Sequence, residues 1–388
     1  MSVPGVVVVG AGTAGVTAAT TLRDRGFDGP LTLIGDEPEH PYRRTALTKE
    51  LLAADLSVDR ISLHRPDVWD AKGIDLRRGR RVVAVEPARR IVVCDDDQEI
   101  GYRALILATG ARAARPVWLD GVPTLRILSD ALAVREVIES AGRLTVLGGG
   151  LIGLELAASA ASRGMPVDIV EAGDRLASRV VPAAVSDWLR ALHERAGVTV
   201  RVGARATSVT PEAIGFADGT LVDGPVVAAV GMTPNIDLAV SSGIETSAEG
   251  IDVDAVFATS EPGVFAVGDC AATPDSLTGL PTAGGHWFGA TDQGRAVASS
   301  VLAHLTGDAP EPFRDVPRAW TIQHGVNVQT VGWPSAGGDV RVEGCLDSAD
   351  AAVRVSVDGE LIGAVTVGRA AQARALRTEI AAGLRSTP

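Results

Sequence analysis

Two stretches of this 388-residue chain are written in the same order, and that repetition constrains the fold more than any other feature. "GVVVVGAGTAGVTAATTLRDRGFDGPLTLIGDE" (5–37) passes from a β-branched run through a glycine turn, an Ala-rich helical stretch and a second apolar run to acidic residues. "RLTVLGGGLIGLELAASAASRGMPVDIVEAGDR" (143–175) repeats the order. Each apolar run is continuous rather than alternating, as in strands buried on both faces of a parallel sheet. Strand, glycine turn, helix, strand and acid together spell a dinucleotide-binding βαβ unit. An α/β fold with two Rossmann-like domains is therefore expected.

"RALILATGARAARP" and "PVVAAVGMTPNIDLA" each end an apolar strand at a glycine, at 110 and 231, and are read as crossing points between the two domains. Beyond residue 311 the pattern changes. "DVRVEG", "AAVRVSV" and "LIGAVTV" read as strands, with a "DGE" turn (358–360) joining the last two, and "AAQARALRTEIAAGL" reads as a closing helix. The expected division is a discontinuous first dinucleotide-binding domain at 1–110 and 231–310, a second dinucleotide-binding domain at 111–230, and a small C-terminal α+β domain at 311–388.

Net charge is -12 and the pI about 5.0, which argues against a nucleic-acid or anionic-membrane binder. The most membrane-like window, 144–162, carries Glu155 and a glycine cluster, so strand and helix explain it better than a span. "MSVPGVVVVG" lacks the basic segment of an export signal. Cys94, Cys270 and Cys345 lie far apart with no CxxC pair, and the six histidines do not fall at metal-ligand spacing. A soluble cytoplasmic protein is expected, monomer or homodimer, with reduced thiols and no bound metal.

In the first unit, Gly10, Gly12 and Gly15 form G-x-G-x-x-G around Ala14. Gly10 permits the tight turn, Gly12 the approach of backbone to a pyrophosphate, and Gly15 the close packing of helix on strand. The helix N-terminus then offers its N–H groups to the phosphates. Asp36 is placed to accept from an adenosine ribose hydroxyl. An ordinary glycine turn would need no such acid, so the coincidence favours binding. The second unit offers Gly148, Gly150 and Gly153 around Leu151 and Ile152, with Glu171 closing its second strand. A carboxylate there accepts from a ribose 2′-OH and repels a 2′-phosphate, so NADH is preferred over NADPH. Arg175 and Arg179 moderate that preference. Glu155 reads either as an acid complementing the helix dipole or as a residue beside the nicotinamide.

Two dinucleotide sites in one chain imply FAD plus NADH/NAD+, with FAD expected in the domain at 1–110 and 231–310 and NADH in the domain at 111–230. "VFAVGDCA" adds to this, since its strand ends in Gly268-Asp269, a pattern in which the acid reaches the ribityl chain of FAD. Ala108, Thr109 and Gly110, which end the strand "LILATG", join the candidate cofactor contacts.

The motifs "LIGDEPEHPYRRTALTK", "GGGLIGLELA", "VEAGDRL", "AVGMTPN" and "VFAVGDCA" make the resemblance specific. The chain resembles the FAD-dependent, NADH-using ferredoxin reductases of the putidaredoxin reductase and aromatic-ring dioxygenase type, over about residues 4 to 325. The resemblance implies that Arg44 lies near the FAD phosphates, and that Lys49 approaches the isoalloxazine ring and pairs with Glu155. It also implies that Val82 meets the adenine through its backbone, that Arg126 contacts FAD, and that Trp287 and Trp320 lie around the flavin ring. Tryptophans are more often core than cofactor-facing, so these two rest on the resemblance alone. Lys49 and Glu155 are the catalytic candidates. The chain departs from the family at Thr45 and Thr48, which replace Pro and Ser. It departs again at Gly285, where many members have Glu, and at Ile322 in "WTIQ", where they have an acid.

The implied reaction carries a hydride from NADH to FAD and single electrons onward to a [2Fe–2S] ferredoxin, or a rubredoxin, serving a cytochrome P450 or Rieske oxygenase. With no cysteine near the basic segment 40–52, electrons have no route to a substrate disulfide there. "RRGRR" (77–81), with Arg89 and Arg90, is a candidate landing strip for an acidic ferredoxin, or else a solvated surface loop. Two rivals stand beside this reading. One is a flavin oxidase or tailoring enzyme passing electrons to O2 or an organic acceptor. The other is an NADH-sensing interaction protein with negligible turnover.

Overall fold

A computed structural model describes residues 4–54 and 57–386. The chain divides into two compact units, one of residues 1–43, 58–112 and 233–315, the other of 44–57, 113–232 and 316–388.

In the first unit the strand Gly5–Val9 lies between Leu31–Ile34 and Glu99–Leu107, parallel to both. Asp75–Arg77 continues the parallel array on one side, and Val264–Ala266 pairs with Glu99–Leu107 on the other. The valine run follows from burial on two faces. Val6 and Val8 enter one apolar cluster with Leu33 and Ile106, while Val7 and Val9 enter another with Ile34 and Leu105. Val82–Glu86 and Ile91–Cys94 form an antiparallel meander with the first part of Glu99–Leu107. The helix Thr13–Asp24 packs on Trp287–Thr306, and Gly294 permits the contact, because a Cβ there would stand 2.5 Å from the Ala14 carbonyl oxygen.

In the second unit four short parallel strands run in the order Thr199–Arg201, Val167–Val170, Leu144–Leu147, Val226–Ala228. A three-stranded antiparallel meander, Ala206–Val209, Ala213–Phe216 and Leu221–Asp223, shares a core with them through Ile214. The same unit holds a five-stranded antiparallel sheet in the order Arg318–Gln323, Val326–Gly332, Glu360–Val367, Asp350–Val357, Asp339–Cys345. The helix Ala370–Ser386 covers it through Ala373 and Ile380. The expected turn between its last two strands is the two-residue Asp358-Gly359, both with positive φ (51° and 82°), as a type I′ hairpin requires. Two dinucleotide-type parallel sheets and a C-terminal antiparallel sheet make up the fold class read from the sequence.

Candidate functional site

The two glycine turns are near copies. Gly10 and Gly148 both have φ of 113°, and a Cβ on either would stand 2.1 or 2.4 Å from the carbonyl oxygen of Ala108 or Ala229. A Cβ on Gly15 or Gly153 would meet the carbonyl oxygen of Gly10 or Gly148 at 1.9 or 2.1 Å. Side chains are excluded at all four positions by their own unit's backbone. Gly12 and Gly150 differ, for a Cβ on either meets nothing within 4 Å. Each is the residue before a helix, Thr13–Asp24 or Leu151–Ser162, and neither helix has a side-chain cap. First-turn N–H groups are thus left for a ligand. Open space at the one glycine that the packing does not require is what a dinucleotide pyrophosphate needs, so both cradles fit the group expected of them.

Around the first cradle, Asp36 is exposed after the strand Leu31–Ile34 and Ala14 is buried on the helix. Gly268 (φ 78°) and Asp269 occupy the 3-10 turn after Val264–Ala266, and the Gly268 N–H donates to Gln293 Oε1 at 2.7 Å. Ala108, Thr109 and Gly110 follow the strand Glu99–Leu107. Asn235 clasps them, since the Thr109 hydroxyl donates to its carbonyl oxygen at 2.7 Å and its side-chain amide donates to the Thr109 carbonyl at 2.9 Å. Nothing local in "MTPN" marks Asn235 as such a clasp. Val82 is buried at the start of a meander strand, opposite Cys94. Trp287 begins its helix, edge-on to Phe288 at 5.4 Å.

At the second cradle Leu151 and Ile152 begin the helix, and Ile152 is exposed. Glu171 is fixed, its two oxygens accepting the N–H groups of Gly149 and Gly173, each at 2.6 Å. Arg175 is tied down inside its own loop by the carbonyls of Ser178 and Val181 and the Ser186 hydroxyl. The Arg179 side chain is exposed.

The second unit also brings Lys49 and Glu155 together. Lys49 lies in the basic segment and pairs with Glu155 Oε1 at 2.8 Å, with side chains 13% and 6% exposed. Two hydroxyls that the sequence did not single out as site residues complete the carboxylate's shell. Thr48 donates to Oε2 at 2.5 Å and Thr321 to Oε1 at 2.6 Å. Thr48 is the position at which the family has Ser, so the hydroxyl is kept. The segment is anchored to the helix Leu151–Ser162 by Ser159, whose hydroxyl donates to the Thr48 carbonyl at 2.6 Å. The Lys49 ammonium stands 5.4 Å from the centre of the Trp320 ring, within cation–π range. Trp320 and Thr321 face opposite sides of the strand Arg318–Gln323, which sets the aromatic ring and the hydroxyl on two sides of the pair. Arg44 donates to the Arg126 carbonyl oxygen at 3.2 Å. Exposed Ile322 lies on the Trp320 side.

Part of the basic strip is paired with acidic neighbours. Arg77 pairs with Asp75, Arg80 with Asp96, and Arg89 with both Glu86 and Glu99, while Arg78 donates to the Pro38 carbonyl oxygen at 2.8 Å. All three cysteines are free, Cys94 and Cys270 buried and Cys345 exposed. Among the described residues there is no cluster of three or more metal-ligating side chains, and no helix long and apolar enough to cross a membrane.

The family profile described as "Pyridine nucleotide-disulphide oxidoreductase" matches residues 4–294, and one described as "Reductase C-terminal" matches residues 318–388. The chain is 36% identical over 339 residues to the ferredoxin–NAD(+) reductase component of the p-cumate 2,3-dioxygenase system of Pseudomonas putida, covering 84% of this chain and 81% of that one. It is 36% identical over 356 residues to the corresponding component of the biphenyl dioxygenase system of Paraburkholderia xenovorans, covering 88% and 84%. Among solved structures, the covalent putidaredoxin reductase–putidaredoxin complex matches with a TM-score of 0.91 and 30% identity over 98% of this chain and 93% of that chain.

Proposed function

The chain belongs to the pyridine nucleotide-disulphide oxidoreductase family, and from that premise we propose that it takes hydride from NADH and passes single electrons to a [2Fe–2S] ferredoxin, or a rubredoxin, that serves an oxygenase. It is an oxidoreductase of the kind that binds FAD and NAD(H). The observation that carries the acceptor assignment is the match, across most of the chain, to reductase components named for ferredoxin. The paired glycine cradles support the two cofactors.

When bound, FAD supplies the exchange between a two-electron donor and a one-electron acceptor. The chain's residues bind and orient. Gly12 and the first turn of Thr13–Asp24 hold the FAD pyrophosphate, Asp36 the adenosine ribose, and Asp269 the ribityl chain. Gly150 and the first turn of Leu151–Ser162 hold the NADH pyrophosphate, and Glu171, already fixed by two backbone N–H groups, accepts from the ribose 2′-OH. Lys49 brings positive charge to the flavin ring, and Glu155 keeps that ammonium in place. Arg44, Arg126, Val82, Trp287 and Trp320 are assigned to FAD on the resemblance. Free, buried thiols at Cys94 and Cys270 support a reduced, cytoplasmic setting.

The test is NADH-dependent cytochrome c reduction with and without added [2Fe–2S] ferredoxins. A steep rise on addition of a cognate ferredoxin is expected. No stimulation by any ferredoxin of a panel, together with rapid direct NADH oxidation by O2, makes the protein an oxidase instead.

A further inference from the structure

Behind Glu155 runs a line of buried polar groups that the reaction as described does not use. Thr321 Oγ1 contacts Glu155 Oε1 at 2.6 Å, and Gln323 Nε2 contacts Thr321 Oγ1 at 2.8 Å. Gln323 Oε1 lies 3.1 Å from His193 Nε2, and His193 Nδ1 lies 3.1 Å from His324 Nε2. Glu155 is 5% exposed, Thr321 3%, and Gln323 and His193 0%, so the line leaves the interior only at half-buried His324. Thr321 and Gln323 share a face of one strand, and His193 comes from the last turn of the helix Ala183–Arg195.

The chemistry of one end dictates every proton along this line. A carboxylate only accepts, so the Thr321 hydroxyl must donate to Glu155, and its oxygen must accept from the Gln323 amide nitrogen. That turns the Gln323 carbonyl oxygen towards His193, whose Nε2 must then carry hydrogen. Burial, reinforced by the neighbouring His324, pushes His193 down to about 3, so the ring is neutral and its Nδ1 is bare. His324 Nε2–H donates to it. Four hydrogen bonds thus point one way, towards Glu155, and in a dry interior such bonds polarise one another.

We propose that Thr321, Gln323 and His193 are positioning residues, a one-way donor array capped by His324 that fixes the Glu155 carboxylate against Lys49. The inference rests on the reading that the Lys49–Glu155 pair acts on the flavin. A carboxylate held by this array cannot swing from Lys49, so the ammonium presents a constant charge to the ring. Thr48 holds the other oxygen, and the array holds the one shared with Lys49.

Two measurements on the FAD-loaded protein test this. In long-range 1H–15N spectra of 15N-histidine-labelled protein, His193 is expected as the neutral Nε2–H tautomer from pH 8 to pH 5. An Nδ1–H tautomer, or an imidazolium at pH 6, overturns the array. The second measurement is the flavin midpoint potential by spectroelectrochemistry. Thr321→Val is expected to shift it in the wild-type background and not in a Glu155→Gln background, because the hydroxyl acts through the carboxylate, and Thr321→Ser should restore the wild-type value. An equal shift in both backgrounds, or none in either, overturns the proposal. Lys49→Gln is the separate check on the flavin reading and should lower the potential. If it does so while Thr321→Val has no effect, the reading stands and the array falls. If Lys49→Gln and Glu155→Gln both leave the potential unmoved, the flavin reading falls, whatever tautomer His193 adopts.

Discussion

Replacing Lys49 by Met keeps the length of the side chain and removes the charge that Glu155 faces. At 2.8 Å and an effective dielectric near 20, the pair's attraction is about 6 kcal/mol, and desolvation of two buried ions offsets several kcal/mol of it. The net value of the pair is therefore small, whereas the cost of breaking it is not, since a buried carboxylate left without its cation costs about 3–5 kcal/mol. Glu155 keeps two hydroxyl donors, which places Lys49→Met near the lower figure, about 3 kcal/mol. Glu155→Gln strands an ammonium that is 13% exposed and can reach water, so about 2 kcal/mol is expected. The double variant removes both charges and should cost less than the two single costs added together, with a coupling of about 2–3 kcal/mol. The assay is urea denaturation at pH 7 and saturating FAD, followed by tryptophan fluorescence for all four proteins. Lys49→Met within about 1 kcal/mol of wild type, or additive single effects, would show that the pair is solvated and refute the reasoning.

Asp269→Ala should lower FAD occupancy, read from the ratio of flavin to protein absorbance after desalting, and an unchanged ratio removes Asp269 from the cofactor contacts. Glu171→Ala should narrow the preference for NADH over NADPH in kcat/KM by about tenfold, roughly 1.4 kcal/mol. Arg179→Ala, and not Arg175→Ala, should then lower NADPH use, because Arg175 is occupied within its loop; a larger effect of Arg175 contradicts this. His193 also makes the fold acid-sensitive. Its pKa is about 3 folded and 6.5 unfolded, so the unfolded chain binds the extra proton as pH falls below 6.5. Stability should decline by about 1.4 kcal/mol per pH unit from there towards pH 3, about 2 kcal/mol by pH 5. His193→Gln should show a shallower decline over the same window, and parallel curves contradict the assignment.

What the sequence made legible was local. A glycine with φ of 113°, and another whose Cβ would strike a carbonyl oxygen, are constraints within a few residues, so both cradles announce themselves in the chain. The uninterrupted valines of Gly5–Val9 announce burial on both faces, and Asp358-Gly359 announces its hairpin. What stayed hidden depends on distant partners. His193 meets Gln323 across 130 positions, and Thr321 meets Glu155 across 166. No periodicity marks any of these residues, and "WTIQ" reads only as a departure from its family at Ile322 until the strand shows that Thr321 and Gln323 point away from Trp320 and Ile322. The basic strip left two readings open, a landing site or a solvated loop. Asp75 and Glu86 meet Arg77 and Arg89 within a few positions and were within reach of the sequence, whereas Asp96 and Glu99 reach Arg80 and Arg89 only through the folded meander.

The central claim is that this chain divides the two electrons of NADH between two one-electron acceptors. The most direct measurement is an anaerobic single turnover. The FAD-loaded enzyme is reduced with one equivalent of NADH and mixed in a stopped-flow instrument with two equivalents of oxidised [2Fe–2S] ferredoxin, with flavin and iron–sulfur absorbance followed together. Full reoxidation of the flavin, with two ferredoxins reduced per NADH consumed, is the predicted result. A flavin that stays reduced in the presence of ferredoxin and reoxidises only when O2 is admitted contradicts the account.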